Sequence, residues 1–205
     1  MAEFPPDFLA AHAKIGARTL VGGDRCYDLW QLLAEACKVK GDIIEVGVWR
    51  GGTGFLLCER ATQFGTRNVY LCDTFSGVVK AGEKDNTYVG GEHADVDVHG
   101  VISFFSSHNL VNYRIVRGIF PDETGKLLRD AEFCFAHIDV DVYQSARDSF
   151  DFIWRRMPIG GIVVFDDYLW PPCEGITTLI NEIRAGLGNV FIHTCPYHAA
   201  FVKTA

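Results

Sequence analysis

Two consecutive apolar segments of this 205-residue chain each end in aspartates, and this feature restricts the fold more than any other. The segments span residues 133–141 and 160–167. Short, continuously apolar runs are typical of strands that are buried on both faces of a parallel sheet. Because ligands bind outside the carboxyl ends of the strands in an open α/β sheet, we expect Asp139, Asp166 and Asp167 to meet at that edge.

Carboxylates that crowd together repel one another unless a cation neutralises them. Oxygen ligands of this kind suit Mg²⁺, Ca²⁺ or Mn²⁺. The three aspartates therefore predict a divalent-metal site, and the alternative is a set of solvated helix caps.

Strands alternate with helices along most of the chain, which implies a parallel sheet with right-handed crossovers. A hairpin around Pro196 then adds one antiparallel strand. We therefore predict a Rossmann-like α/β sandwich with a mostly parallel, seven-stranded sheet. The predicted strands are 42–48, 68–73, 113–118, one ending at 139, one ending at 166, 190–195 and 199–203. The predicted helices are 27–39, 55–63, 101–109, 124–129, 145–157 and 176–185.

The length fits one globular domain. Residues 1–40 are interpreted as an N-terminal arm and a helix that pack on a core domain of residues 41–205. The first ~20 residues lack a clear periodicity and are interpreted as a mobile arm. Residues 74–100 form a loop that is long enough to indicate a functional role.

Composition excludes several classes of protein. The net charge of −7 disfavours nucleic-acid binding, which needs a basic face. No apolar run approaches the ~20 residues of a membrane span, and the first residues do not resemble a secretory signal. The seven cysteines are scattered without a C-x-x-C pair, so we expect reduced thiols in a cytoplasmic protein.

A glycine-rich turn joins the first strand to the next helix. Gly47 and Gly51 allow close approach of a ligand, and the helix start offers free N–H groups. Glu45 would repel a pyrophosphate but suits a cationic amine such as that of S-adenosylmethionine. Asp73, at the end of the second strand, could accept hydrogen bonds from a ribose. The alternatives are a plain turn with a capping acid and a nicotinamide-dependent oxidoreductase site.

The third strand delivers Gly118 and Phe120 to the same edge, where an adenine could stack. Among the histidines, His137 is expected to be a core residue. His93 and His99 could line an acceptor pocket or belong to a solvated loop. The segment 193–198 matches no standard zinc pattern.

Several motifs together carry a family resemblance over about residues 19–205. They include Tyr70-Leu71-Cys72-Asp73-Thr74-Phe75-Ser76-Gly77, His137-Ile138-Asp139-Val140-Asp141-Val142-Tyr143-Gln144-Ser145 and Phe165-Asp166-Asp167-Tyr168. With these motifs the chain resembles the macrocin O-methyltransferase (TylF-like) family of class I methyltransferases.

The resemblance implies an enzyme that methylates a hydroxyl of a small molecule, often on a sugar of a secondary metabolite, with S-adenosylmethionine and Mg²⁺. It implies that Asp139, Asp166 and Asp167 bind the metal and that Asp141 is the catalytic base; the alternative for Asp141 is a helix N-cap. Such enzymes often assemble as homo-oligomers. The residues expected to bind the cofactor are Glu45, Gly47, Gly51, Thr53, Asp73, Thr74, Gly118, Phe120 and Asp139.

Two other functions are alternatives to this one. Catechol-type methyltransferases have a similar metal site but place a lysine near the base, and residues 142–144 offer none. A degenerate methyltransferase fold could instead serve as a binding module, although such a module would be expected to lose the metal carboxylates.

Overall fold

A seven-stranded mixed sheet forms the centre of the molecule. The computed structural model describes residues 4–186, 190–192 and 195–204. The strands, in chain order, are β1 (Asp42–Val46), β2 (Val69–Asp73), β3 (Tyr113–Arg117), β4 (Phe133–Ile138), β5 (Ile162–Tyr168), β6 (Val190–Ile192) and β7 (Tyr197–Val202).

The strand order is β3-β2-β1-β4-β5-β7-β6. The pairs among β1 to β5 are parallel, and β7 is antiparallel to both β5 and β6. The order reverses between β1 and β4, so the crevice between their carboxyl ends is the expected ligand site of such a sheet. The predicted fold class is thereby confirmed, including the antiparallel strand near the end of the chain.

Helices cover both faces of the sheet. They are α1 (Pro6–Ile15), α2 (Gly23–Ala36), α3 (Gly52–Ala61), α4 (Val98–Ser107), α5 (Tyr143–Trp154) and α6 (Glu174–Gly186). Buried residues of α1 to α4 form one apolar cluster with one face of the sheet, while α5 and α6 form a second cluster with the other face. Each helix therefore buries one apolar side in one of these two clusters, as an amphipathic helix must.

The N-terminal segment differs from its sequence interpretation. It contains helix α1, whose Phe8, Ala11 and Ile15 are buried against the rest of the molecule. Phe8 contacts the rings of Tyr27 and Trp30 on α2, with centroids 5.1 and 5.8 Å away. The interpretation of this segment as a mobile arm is thus wrong, because three apolar side chains at helical spacing hold it on the core.

The other predicted elements occur with shifted ends. The helices at 27–39 and 145–157 begin earlier, at Gly23 and Tyr143, and the segment 124–129 contains a short 3₁₀ turn at Gly125–Leu128. Part of the hairpin, residues 193 and 194, lies outside the described residues. Among the helices described, none is both long and apolar enough to cross a membrane.

Candidate active site

A cavity of about 290 Å³ opens at the carboxyl edge of the sheet, beside the crevice between β1 and β4. The loops that follow β1, β2, β4 and β5 contribute to its wall, as does the segment between α1 and α2. Most of the residues singled out from the sequence line this cavity: Gly47, Thr53, Asp73, Thr74, Gly118, Phe120, Asp139, Asp141, Asp166 and Asp167. Glu45 and Gly51 do not lie among the lining residues.

Gly47 makes the close approach of β1 and β4 possible. Its φ is +91°, a conformation that side chains disfavour. A Cβ atom at this position would lie 1.7 Å from the carbonyl oxygen of Asp139. Only a glycine therefore allows the turn after β1 to lie against the backbone of Asp139.

Asp73 anchors the glycine turn from the neighbouring strand. Its Oδ2 accepts hydrogen bonds from the backbone N–H groups of Val48 and Trp49, at 2.7 and 2.9 Å. Its Oδ1 accepts one from the N–H of Phe75, at 2.6 Å. The carboxylate thus shapes the cavity wall, and it also faces the cavity itself.

Glu45 lies behind that wall. It is fully buried, and its Oε1 lies 3.0 Å from Nδ1 of His137, which is also fully buried. Neither Oε2 of Glu45 nor Nε2 of His137 has a hydrogen-bond partner among the described atoms. His137 is therefore a core residue, as the sequence indicates, and Glu45 supports the turn from inside.

The aspartates that follow β4 and β5 come together. One carboxylate oxygen each from Asp139, Asp166 and Asp167 lies within 4.8 Å of the others. The pairing of β5 with β7 shifts register between Phe165 and Tyr168, and Asp167 has a φ of +65°. This irregularity allows two consecutive aspartates, which would point to opposite faces of a regular strand, to face the same cavity.

The crowding and burial of these carboxylates perturb their protonation. Burial, with the charges of Asp166 and Asp167, raises the pKa of Asp139 well above its ordinary value. Burial and the charge of Asp166 raise the pKa of Asp167 to about 8. Burial also acts to raise the pKa of Asp166, but His198 and Arg25 outweigh that effect and lower it. Two of the three carboxylates are therefore short of positive charge, a condition that a divalent cation would relieve.

Asp141 is not a helix cap. Helix α5 begins at Tyr143, and its N-cap residue, Val142, makes no side-chain capping bond. The N–H of Tyr143 instead donates to Oδ1 of Asp85, 2.9 Å away in the long loop. Asp141, with a φ of +65°, is left to face the cavity.

Tyr88 and His93 of the long loop lie beside Asp141. The Tyr88 hydroxyl lies 3.4 Å from Nε2 of His93 and interacts with the carboxyl of Asp141. Burial raises the pKa of Asp141 above its ordinary value, while His93 and Tyr88 oppose that rise. Both loop residues line the cavity, whereas His99 is exposed.

Asp95 ties the same loop to the glycine turn. Its carboxylate accepts from the indole N–H of Trp49 at 3.1 Å and from Arg50 at 2.5 Å. The sequence predicts a long functional loop at residues 74–100. This loop is thus attached to the glycine turn through Asp95 and to the start of α5 through Asp85.

Sequence reasoning missed the contacts of Arg25 and His198 with Asp166 and that of Asp28 with His198. Arg25 on α2 donates to Oδ1 of Asp166 and lies 3.7 Å from Asp167. His198 on β7 places Nε2 3.2 Å from the same Oδ1, and its Nδ1 lies 2.9 Å from Oδ2 of Asp28. Burial acts to lower the pKa of His198, but Asp166 and Asp28 outweigh that effect and raise it.

Arg25 and Asp166 are 141 positions apart in the sequence, and Asp28 and His198 are 170 positions apart. No local sequence pattern therefore predicts these contacts. The carboxylate of Asp28 also lies near Cys195 and His198, which form a small cluster of potential metal ligands. His193, which belongs to the segment considered for zinc, lies outside the described residues.

Comparison with known proteins identifies the family. Residues 10–187 match the family described as macrocin-O-methyltransferase (TylF). The chain belongs to this family. It is 30% identical to demethyldecarbamoylnovobiocin O-methyltransferase of Streptomyces niveus, over 82% of this chain and 68% of that protein. It is 29% identical to 8-demethyl-8-(2,3-dimethoxy-alpha-L-rhamnosyl)-tetracenomycin-C 4′-O-methyltransferase of Streptomyces olivaceus, over 90% of this chain and 76% of that one.

Solved structures agree with this family assignment. The O-methyltransferase NovP superposes with a TM-score of 0.78 at 26% identity, covering 93% of this chain and 84% of NovP. The calicheamicin methyltransferase CalS11 superposes with a TM-score of 0.76, covering 98% of this chain and 94% of CalS11. Because the two sequences are only 16% identical, this similarity supports the fold alone. The protein is thus an O-methyltransferase, and the oxidoreductase and binding-module alternatives are set aside.

Proposed function

We propose that this O-methyltransferase uses Mg²⁺ to transfer a methyl group from S-adenosylmethionine to a hydroxyl of a sugar on a secondary metabolite. The convergence of Asp139, Asp166 and Asp167 beside Asp141 in one cavity carries the proposal. The names of the relatives support the acceptor class, since one of them specifies a rhamnosyl compound.

The aspartate cluster fits a hard divalent cation. Its ligand atoms are carboxylate oxygens within 4.8 Å of one another, and such oxygens are the ligands that Mg²⁺ prefers. Burial, followed by the charges of the neighbouring aspartates, raises the pKa values of Asp139 and Asp167, and a bound cation would oppose both effects. These three residues would hold the metal.

The opposite half of the cavity fits the methyl donor. Gly47 and Thr53 lie where β1 passes into α3, and Asp73 lies at the end of β2. Phe120 contributes an apolar ring at the third strand, where an adenine could pack. These residues would hold the nucleoside part of S-adenosylmethionine, which would supply the activated methyl group.

The main chemical difficulty is the weak acidity of the acceptor. A sugar hydroxyl has a pKa near that of water, about 15.7, so full ionisation at pH 7 would cost about 12 kcal/mol. When bound, Mg²⁺ supplies Lewis acidity that lowers this cost and orients the acceptor. The cavity walls hold the methyl donor and the acceptor in line. This orientation can lower the activation barrier by up to ~7–11 kcal/mol.

Asp141 is suited to take the proton as the methyl group moves. Burial raises the pKa of its carboxyl above the ordinary value, which strengthens it as a base toward a weak acid. The hydroxyl of Tyr88 lies beside this carboxyl in the cavity. The proton leaves the hydroxyl for Asp141, the oxygen forms a bond to the methyl carbon, and the bond from that carbon to sulfur breaks.

A catechol-like or other non-sugar hydroxyl is the alternative acceptor. Within the described part of the chain, the cations lining the cavity are Arg18 and Arg25, and no lysine lines it. The lysine that the catechol-type enzymes place near the base therefore has no counterpart here.

Calorimetric titration with S-adenosylmethionine and then with Mg²⁺ tests the proposal. We expect the wild-type protein to bind both and Asp166→Asn to lose the magnesium signal while it keeps the cofactor. Absence of cofactor binding by folded protein would overturn the methyl-donor assignment. Cofactor binding without a metal response would overturn the role of the aspartates.

Two matched variants test the cofactor half of the cavity. Asp73→Asn removes the negative charge and replaces one of the two oxygens that accept the backbone N–H bonds with an amide nitrogen, so we expect at least a tenfold loss of S-adenosylmethionine affinity. Asp42→Asn provides the control, because Asp42 accepts from the N–H of Asn68 at 2.9 Å at the opposite edge of the sheet. It should lower stability without changing cofactor affinity, and equal losses in both variants would contradict a direct role for Asp73.

A further inference from the structure

Three buried side chains form a line from the helical layer to the aspartate cluster. Asp28 is 2% exposed, His198 is fully buried and Asp166 is 3% exposed. The ring nitrogens of His198 lie 2.9 Å from Oδ2 of Asp28 and 3.2 Å from Oδ1 of Asp166. The imidazole therefore stands between two carboxylates in a space that excludes water.

The two carboxylates hold the imidazole from either side. Nδ1 lies at hydrogen-bond distance from Oδ2 of Asp28, and Nε2 lies 3.2 Å from Oδ1 of Asp166, within ion-pair distance. The ring therefore bridges the two carboxylates. Asp28 contacts Nδ1 of His198 and thereby fixes the direction in which Nε2 faces Asp166.

The strand arrangement explains why His198 reaches this position. Strand β7 runs antiparallel beside β5, and the register shift between Phe165 and Tyr168 lies opposite the start of β7. Asp166 belongs to this irregular segment, where the regular ladder does not dictate the direction of a side chain. A specific contact is needed there to hold the carboxylate.

We propose that His198, oriented by Asp28, is a positioning residue that fixes the Asp166 carboxylate for the divalent cation. This inference rests on the proposed function, since it assigns a role within the same metal site. Such carboxylate–histidine contacts behind a metal ligand typically change metal affinity by 10–100-fold when they are removed.

The test measures Mn²⁺ binding by electron paramagnetic resonance of the free ion, with Mn²⁺ as a probe for the magnesium site. We expect His198→Ala to weaken binding by 10–100-fold. His198→Gln, whose amide can still donate to Asp166, should recover much of that loss. The affinity for S-adenosylmethionine should remain within about threefold of wild type, because the cofactor half of the cavity keeps its contacts.

Two further variants separate positioning from general stability. Phe201→Leu alters another fully buried residue of β7, so it should lower the melting temperature without changing the Mn²⁺ affinity. In a double-mutant cycle, Asp28→Ala should weaken Mn²⁺ binding alone but add little to His198→Ala, because Asp28 acts through His198.

The outcomes distinguish the two proposals. If the wild-type protein binds no Mn²⁺, the metal role fails and this inference fails with it. If the wild-type protein binds Mn²⁺ and folded His198→Gln and His198→Ala both bind it equally well, only the positioning role is overturned. Additive losses from Asp28→Ala and His198→Ala would overturn the role of Asp28 as the group that orients His198.

Discussion

The backbone around Gly47 leaves no space for a larger side chain at this position of the cavity wall. Alanine at this position would combine a positive φ with a Cβ 1.7 Å from the carbonyl oxygen of Asp139. We expect Gly47→Ala to lower the free energy of unfolding by more than about 3 kcal/mol, since backbone has to move as well as adopt a strained conformation. Urea denaturation measures the loss, and Mn²⁺ titration measures the accompanying displacement of Asp139.

Gly65→Ala is the matched control. Gly65 has a φ of +85°, but a Cβ there would meet nothing within 4 Å. Its substitution should cost only the strain of the conformation, about 1–3 kcal/mol, and leave metal affinity unchanged. Equal destabilisation in the two variants would show that the contact with Asp139 has no effect of its own.

Residues of the site differ in how far the sequence could reveal them. Asp139 and Asp166 were predictable because each ends a long apolar run, which fixes both its strand and its edge of the sheet. The contact of His198 could not be predicted, because it depends on β7 lying beside β5. That of Arg25 could not be predicted either, because it depends on how α2 packs. Asp85 was missed for a similar reason: the cap of α5 comes from a distant loop rather than from its own N-terminus.

Helix α1 is the element that the sequence interpretation omitted, and its packing can be tested. Phe8 is fully buried between α1 and α2, so we expect Phe8→Ala to cost about 3–5 kcal/mol of unfolding free energy. Leu9→Ala is the control, since Leu9 is 43% exposed on the same helix, and it should change stability by no more than about 0.5 kcal/mol. Comparable, small effects in both would restore the view of this segment as a loose arm.

Local signals for α1 are present in the sequence. Phe8, Ala11 and Ile15 have helical spacing, Pro6 suits a first helical turn, and Gly16 follows the last residue. Elements with longer periodic patterns, such as α5 and α6, were predictable with errors of a few residues at their ends. Those ends depend on caps supplied from elsewhere in the fold, which periodicity does not contain.

At the scale of the whole molecule, the reactivity of the cysteines measures how tightly the helices pack on the sheet. Six cysteines are buried and Cys195 is partly exposed. Burial raises the pKa of Cys26 to about 12 and that of Cys58 and Cys72 well above the ordinary value. A raised pKa means that these thiols stay protonated and unreactive at pH 8.

We therefore expect iodoacetamide at pH 8 to modify Cys195 first in the native protein, and all seven cysteines after unfolding in urea. Peptide mass spectrometry identifies the modified sites. Rapid native labelling of Cys58 in α3 or of Cys72 in β2 would show that the sheet and its helices separate more readily than the packing indicates.

The order of the strands has a consequence for biosynthesis. Strand β7 lies between β5 and β6, and β7 is the neighbour through which β6 joins the sheet. A nascent chain that has already formed the parallel strands still lacks His198 behind Asp166 until this late segment emerges from the ribosome. A chain that stopped before β7 would thus carry all four aspartates without the contact between His198 and Asp166, so we expect this part of the cavity to take its final form only once β7 has been added.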